Sequence, residues 1–339
     1  MQKCIILDWK VNLAYNTVNL KYWVKDMKLS LVVPCYNEAE NVAAFQAATM
    51  AAFEGCGYDY EIIFVDDGSK DATLHELRKL HKQQLCPTKV VSFSRNFGKE
   101  AGIYAGLKHS SGDYICLIDA DLQQQPEIVR NMVQILDDDP QYDVVAAYQD
   151  RRGEGKLLSF FKKTFYSLIN RMSDVSLKSD ASDFRTFRRS VAESIISLGE
   201  YHRFSKGIFA WVGYNTCFIP YIACERAAGT TKWNFRKLFN YALEGIIGYS
   251  TKPLRIATYL GGLTALAAFI YLIIVVLQKL ITGIDVPGYA TIIVLTLLLG
   301  GIQLVCIGII GEYVGKIFEQ SKDRPIYIAK EVLDYENNG

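Results

Sequence analysis

The 339-residue chain is short of several things at once, and each shortage removes a class of function. Net charge is nearly missing: 37 lysines and arginines against 36 aspartates and glutamates leave +1, so no global field draws nucleic acid. The eight cysteines form no Cys-X-X-Cys pair, and the four histidines show no metal-ligand spacing. That pattern excludes a disulfide framework and a zinc site and fits free thiols in a reducing compartment. Residues 1–26 lack a basic, an apolar and a small-residue segment in the order a signal peptide requires. Met27-Lys28 reads as a natural start, and the residues before it as an extension without an assigned role. From Ile256 to Gly311 charge is almost absent, whereas the chain before Lys252 is mixed.

What is present centres on Tyr114–Glu127. Tyr114–Ile118 is a β-prone apolar run too short for a helix. It leads into Asp119-Ala120-Asp121-Leu122-Gln123, where strand alternation would put both acids on one face. Two such carboxylates repel unless a cation lies between them. Hard divalent ions take oxygen ligands of this kind and complete their shell with water and substrate phosphate. Gln123 offers a third oxygen. A solvated acidic loop is the plainer alternative.

Around that stretch the pattern repeats strand and helix. Strands are expected at Leu29–Val33, Tyr60–Val65, Lys89–Phe93, Tyr114–Ile118 and Val144–Ala147. Helices are expected at Glu40–Phe53, Ala72–Gln84, Lys99–His109 and Glu127–Leu136. Such alternation predicts an α/β fold with a mostly parallel sheet covered on both faces. Ligands of these sheets bind beyond the carboxyl ends of the strands, where the clusters around Asn37, Asp67 and Asp121 fall.

Those clusters carry a resemblance. Val33-Pro34-Cys35-Tyr36-Asn37-Glu38, Val65-Asp66-Asp67-Gly68-Ser69 and Asp119-Ala120-Asp121-Leu122-Gln123 resemble the family 2 glycosyltransferases of GT-A fold. Ser94–Glu100, Asp183-Phe184-Arg185, Glu225–Trp233, Gly311–Lys316 and Arg324–Tyr327 narrow it. Together they are similar to the bacterial relatives of dolichol-phosphate mannose synthase, polyprenyl-phosphate glycosyltransferases with two C-terminal membrane helices. Gln124-Gln125 departs from the acid- or proline-containing sequence usual after the metal motif.

The resemblance implies a nucleotide-diphosphate sugar donor, UDP favoured, a polyprenyl phosphate acceptor and a Mg²⁺ or Mn²⁺ cofactor. It implies metal ligation by Asp121 and Gln123, with Asp119 in the metal shell or near the ribose. Pro34, Tyr36, Glu38, Val65, Asp66, Asp67 and Ala120 would surround the nucleotide. For Asp66 and Asp67 a turn and helix cap is the alternative. Arg226 and Lys232 would hold the phosphates, on a loop that could equally be only solvated. Asp183 would face the acceptor as base, as orienting group for Arg185 or the acceptor, or merely as a helix cap.

Ile256–Leu277 and Ala290–Gly311 are uncharged, and each run reaches about 33 Å as a helix, enough for a bilayer core. Lys252, Arg255, Lys316, Lys322 and Arg324 flank their outer ends, which by the positive-inside rule places the catalytic domain and C-terminus in the cytoplasm. Residues 156–172 and 233–249 mix aromatics with basic residues and read as interfacial helices, or as segments packed on the soluble domain. The expected layout is an extension at 1–26, a catalytic domain at 27–252, a two-helix membrane region at 253–315 and a tail at 316–339. A processive polysaccharide synthase is disfavoured because no Gln-X-X-Arg-Trp motif occurs. A membrane-tethered binding protein without turnover is the alternative outside enzymes, and homo-oligomerisation is left open.

Overall fold

The computed structural model describes residues 27–149, 181–222, 247–282 and 288–335. Its centre is a sheet of eight strands among the described residues. In chain order they are β1 (Lys28–Cys35), β2 (Asp59–Asp66), β3 (Thr88–Phe93), β4 (Tyr114–Leu117), β5 (Val144–Gln149), β6 (Ala181–Arg188), β7 (Thr216–Tyr221) and β8 (Ala329–Leu333). Their spatial order is β7-β5-β6-β4-β1-β2-β3-β8. The β4-β1-β2-β3 block is parallel, as the strand–helix alternation predicts. Antiparallel pairing enters through β6, which lies between β4 and β5, and through β8 at the edge beside β3.

Strand alternation divides the core into two layers. Leu29, Leu31 and Val33 of β1 face one side with Phe64, Tyr114 and Cys116, under α1 (Val42–Phe53) and α4 (Pro126–Asp138). Val32, Ile63, Val65, Ile115 and Leu117 face the other, under α3 (Lys99–His109) and α5 (Arg189–Ser197). Helix α2 (Thr73–Gln83) packs beside β3 on the first side, through Leu77 and Leu80. The second layer is tight: a Cβ on Gly106 of α3 would lie 2.1 Å from Val32 Cγ1. Glycine there brings the helix, and the loop that feeds it, close to the centre of the sheet.

Helices α7 (Lys252–Thr282) and α8 (Tyr289–Ser321) extend away from this domain. Residues 252–278 and 294–321 are long and apolar enough to cross a membrane, and neither stretch is buried in the protein. Leu263, Leu266, Phe269, Leu297 and Leu304 expose more than half of their surface. Before them, helix α6 (Ser205–Val212) leaves no room at Gly207, where a Cβ would meet the Tyr249 ring at 2.5 Å. After them, Gln320 is fixed to the domain by the Tyr201 N–H at 2.8 Å and by its own amide to Gly199 O at 3.0 Å. The chain then returns to the sheet. Tyr327 stacks on Phe93 at 4.9 Å, Ser94 N–H donates to Ile328 O, and β8 pairs with β3. Both ends of the helical hairpin therefore meet the same domain.

One sequence expectation needs correction here. Strand β4 stops at Leu117, and Asp119–Asp121 lie in a turn rather than on a pleated face. The last ladder-like bond is Ile118 N–H to Val32 O at 3.1 Å; the next amide, Asp119 N–H, turns to Gln124 Oε1 at 2.9 Å. Leu122 then adopts φ 56°, so turn geometry sets the spacing of the two acids. The extension 1–26 and both expected interfacial segments, save the end of the second, lie outside the described residues.

Candidate active site

The carboxyl ends of β1 and β2 are laced into one crest. Asp67 N–H donates to Cys35 O, Asn37 N–H to Ser69 Oγ, Lys70 N–H to Asn37 Oδ1 and Glu38 N–H to Thr73 Oγ1. Asn37 tolerates the φ of 57° that this requires. Glu38 in turn accepts from Asn41 Nδ2 at 2.6 Å. Pro34 and Val65 are paired at the same crest, Val65 buried, and Tyr36 leaves 38% of its surface open; the buried Ala120 lies in the turn after β4.

Asp66 and Asp67 do different work. Asp66 is buried, accepting from Ser69 N–H and Ser92 Oγ, which makes it the keystone of the turn. Asp67 accepts from the backbone N–H groups of Phe97 and Gly98, at 2.6 and 2.9 Å. Burial pushes its carboxyl up against the pull of those two amides. Gly68, at φ +63°, allows the approach, since a Cβ there would be 2.4 Å from the Arg95 carbonyl carbon. The loop after β3 is thereby pinned, and it delivers Lys99 at the first turn of α3.

Lys99 reaches across to two acids. Its Nζ is 2.7 Å from Asp119 Oδ1 and 3.3 Å from Asp183 Oδ2. Burial would lower this ammonium, but Asp119 and Asp183 outweigh it and raise it above its ordinary value. Burial would raise Asp183, yet Lys99, Lys206 and Arg185 hold it below the usual carboxylate range. Pro34, Ile103, Leu117, Ile118 and Gln124 complete the cleft around these three residues. Lys99 is thus a direct partner of Asp183. Arg185 instead lays its guanidinium on Phe209, 4.1 Å from the ring centre, and donates to Ser182 O.

Gln124, the departure from the usual motif, has a clear place. It is buried, receives Asp119 N–H on Oε1, and donates from Nε2 to Asp119 Oδ2 at 3.2 Å and Ser182 Oγ at 3.4 Å. It ties the acidic turn to the start of β6. Asp121 accepts the Gln123 N–H within the same turn. Among the described residues no cluster of three or more His, Cys, Asp or Glu forms a preformed metal cage. An oxygen-only set of Asp119, Asp121 and Gln123 fits a Mg²⁺-like ion that takes its remaining ligands from water and substrate phosphate.

Residues 30–196 match the family described as Glycosyl transferase family 2, and residues 252–317 match the GtrB C-terminal hairpin. A prophage bactoprenol glucosyl transferase homolog of Escherichia coli K12 is 42% identical over 307 residues, covering 90% of this chain and 99% of its own. The bactoprenol glucosyl transferase of Shigella phage SfV is 42% identical over 305 residues, covering 90% and 98%. The chain belongs to glycosyltransferase family 2. The GT-A sheet of this glycosyltransferase also overlays glucosyl-3-phosphoglycerate synthase from Mycobacterium tuberculosis, solved with Mn²⁺, UDP-glucose and phosphoglyceric acid. That overlay has a TM-score of 0.45 at 18% identity, over 68% of this chain and 83% of the other.

Of the residues expected at the transferase site, Asp119, Asp183 and Pro34 line one cleft; Ala120, Asp121 and Gln123 lie in the turn that follows Asp119, and Tyr36, Glu38, Val65, Asp66 and Asp67 lie at the ends of β1 and β2. Arg226 and Lys232 lie outside the described residues. Sequence reasoning missed Lys99 and Gln124 as participants. Lys99 lies within Ser94–Glu100, and nothing local marks it, since Asp119 and Asp183 reach it only through the fold. Its half-buried neighbour Glu100 accepts from Ser205 N–H at 2.9 Å, locking α3 to α6.

Proposed function

We propose that this glycosyltransferase moves a hexose from a nucleotide-diphosphate sugar to a polyprenyl phosphate of the undecaprenyl class, inverting the anomeric carbon. UDP is the favoured nucleotide and glucose the favoured sugar. The observation that carries the reading is 42% identity to bactoprenol glucosyl transferases across 98–99% of their length, hairpin included. The cleft supports it: an acidic turn suited to a diphosphate-bound cation stands next to a lysine-paired carboxylate, on a domain fastened to two membrane-length helices.

In the reaction an oxygen of the lipid phosphate bonds to the anomeric carbon. The bond from that carbon to the diphosphate breaks, and the nucleoside diphosphate leaves with the electron pair. Mg²⁺ or Mn²⁺, held by Asp119, Asp121 and Gln123, would neutralise charge on the departing diphosphate. Tyr36 is open to pack on the base, and the crest with Pro34, Val65, Asp67 and Ala120 shapes the nucleotide side. A phosphate monoester has a second pKa of about 6, so the nucleophile is ionised at neutral pH and needs no strong base. Asp183 accordingly positions rather than deprotonates. Arg226 and Lys232 are assigned to the phosphates, and the basic flanks of the hairpin set the domain on the cytoplasmic face.

The test uses the full chain in membranes with several radiolabelled nucleotide sugars. Label from one of them should enter an organic-extractable, acid-labile lipid when polyprenyl phosphate is supplied. Release of free sugar alone, or label in a growing polysaccharide, would overturn the reading.

A further inference from the structure

Asp119 has both carboxylate oxygens engaged: Oδ1 by the Lys99 ammonium and Oδ2 by the Gln124 amide. A cation arriving at Asp119 must share an oxygen with one of them, and the ammonium 2.7 Å from Oδ1 is the partner that repels it. Gln124 is the harder to move, because it is 5% exposed and also holds Asp119 N–H and Ser182 Oγ. Lys99 is the easier, with 45% of its side chain open to solvent and a second acid already in contact. Its backbone is held on both sides. Asp67 grips the two amides before it, and Glu100 after it grips Ser205.

The sheet order says which substrate lies on the far side. Tyr36 and the β1–β2 crest stand on one flank of β4, while Asp183 comes from β6 on the other. With the nucleotide on the crest, the flank of Asp183 is left for the acceptor. An ionised aspartate there would repel a phosphate dianion unless a cation stood between them. An ammonium offers three donors, so one can stay on Asp183 while two turn to phosphate oxygens.

We propose that Lys99 is an acceptor-binding residue held in reserve as an internal counter-ion. Asp119 would be given over to the donor's cation when that is bound, and the Lys99 ammonium, kept by Asp183, would receive the phosphate of the acceptor. This deepens the proposed function and rests on it. Order of binding follows: donor and cation first, lipid phosphate second.

The test uses the full chain in lipid nanodiscs and compares wild type, Lys99→Met and Lys99→Arg. Mn²⁺ is titrated with UDP present, and KM is measured separately for the nucleotide sugar and for polyprenyl phosphate. Lys99→Met should bind Mn²⁺ about two- to fivefold tighter, the ratio expected on removing a half-exposed competing ion pair. The same variant should lose about a hundredfold in transfer at limiting lipid phosphate, with donor KM little changed. Lys99→Arg should restore most of the lipid-dependent loss and return Mn²⁺ affinity towards wild type. Lys99→Gln supplies the same readouts where Lys99→Met does not fold. Unchanged or weaker Mn²⁺ binding in the neutral variant overturns the inference, as does an unchanged KM for lipid phosphate. A wild type that makes no lipid product overturns the proposed function and this inference with it, whereas an active wild type with an indifferent Lys99 variant overturns the inference alone.

Discussion

Two clusters of lysine and carboxylate sit at opposite edges of the same sheet, and they have opposite characters. At the amino edge, Glu61 has no exposed surface. It accepts from Ser30 Oγ at 2.6 Å, Ser111 N–H at 2.7 Å and Tyr335 OH at 2.8 Å, with Lys28 and Lys89 at 3.3 and 3.6 Å. At the carboxyl edge, Asp119 and Asp183 share Lys99 and keep 34% and 26% of their side chains open. The residue types are the same. Saturation decides the use: Glu61 has its needs met by the protein and fastens the returning C-terminal strand through Tyr335. Asp119 and Asp183 share the ammonium of Lys99 and stay partly open to solvent.

Breaking the open cluster should give the largest effect. Asp121→Ala removes a proposed ligand of the diphosphate-bound cation and should cost about a thousandfold or more in turnover, with the protein folded and membrane-bound. Full activity in excess chelator would contradict the metal assignment.

The closed cluster should respond next, and in stability. Its many partners hold the Glu61 carboxyl down from 4.5 to about 2 even though burial would raise it. A depressed folded pKa means the stabilisation is present above the unfolded value and is lost as pH falls from about 4.5 towards 2. Glu61→Gln should cost about 3 kcal/mol at neutral pH and flatten the stability profile across that acid window. Equal acid sensitivity in the variant would show that Glu61 is not the group responsible.

Asp183→Asn should lower lipid transfer by about a hundredfold while nucleotide-sugar binding is kept. Raising the pH above about 7 should not rescue it, since the lipid phosphate is already ionised. Rescue along a single titration would instead support general-base catalysis. The smallest effect belongs to the exposed pair of Arg78 with Glu331 on β8, 2.5 Å apart. Arg78→Ala should leave thermal midpoint and activity unchanged within error, because solvent screens such pairs. A clear drop would mean that the C-terminal strand is held from the surface rather than from Glu61 and Tyr335.

The parallel centre was legible because strands buried on both faces read as unbroken apolar runs, as in Leu29–Val33 and Tyr60–Val65. The antiparallel additions were not. Strand β8, Ala-Lys-Glu-Val-Leu, carries two charges and takes its place from pairing with β3 and from Tyr327 on Phe93, contacts that no local pattern announces. The long helices were visible as uncharged runs, yet α8 continues past them through Glu312 to Ser321, where the Gln320 side chain bonds to Gly199 and Tyr201 of the domain. At the site, Asp119, Asp121 and Asp183 stood out by their motifs. Lys99 did not, because a lysine at a helix start is ordinary until the fold brings two acids from β4 and β6 to it. The Asp-X-Asp spacing was noticed for the wrong geometric reason, a pleat where the chain makes a turn.

The contrast between the clusters is tested most directly by measuring thermal midpoint and lipid-transfer rate side by side in Asp183→Asn and Glu61→Gln. The account predicts a crossed result: Asp183→Asn loses transfer with its midpoint kept, and Glu61→Gln loses midpoint while the molecules still folded keep their transfer rate. Parallel losses in both variants, or the reverse assignment, would contradict it.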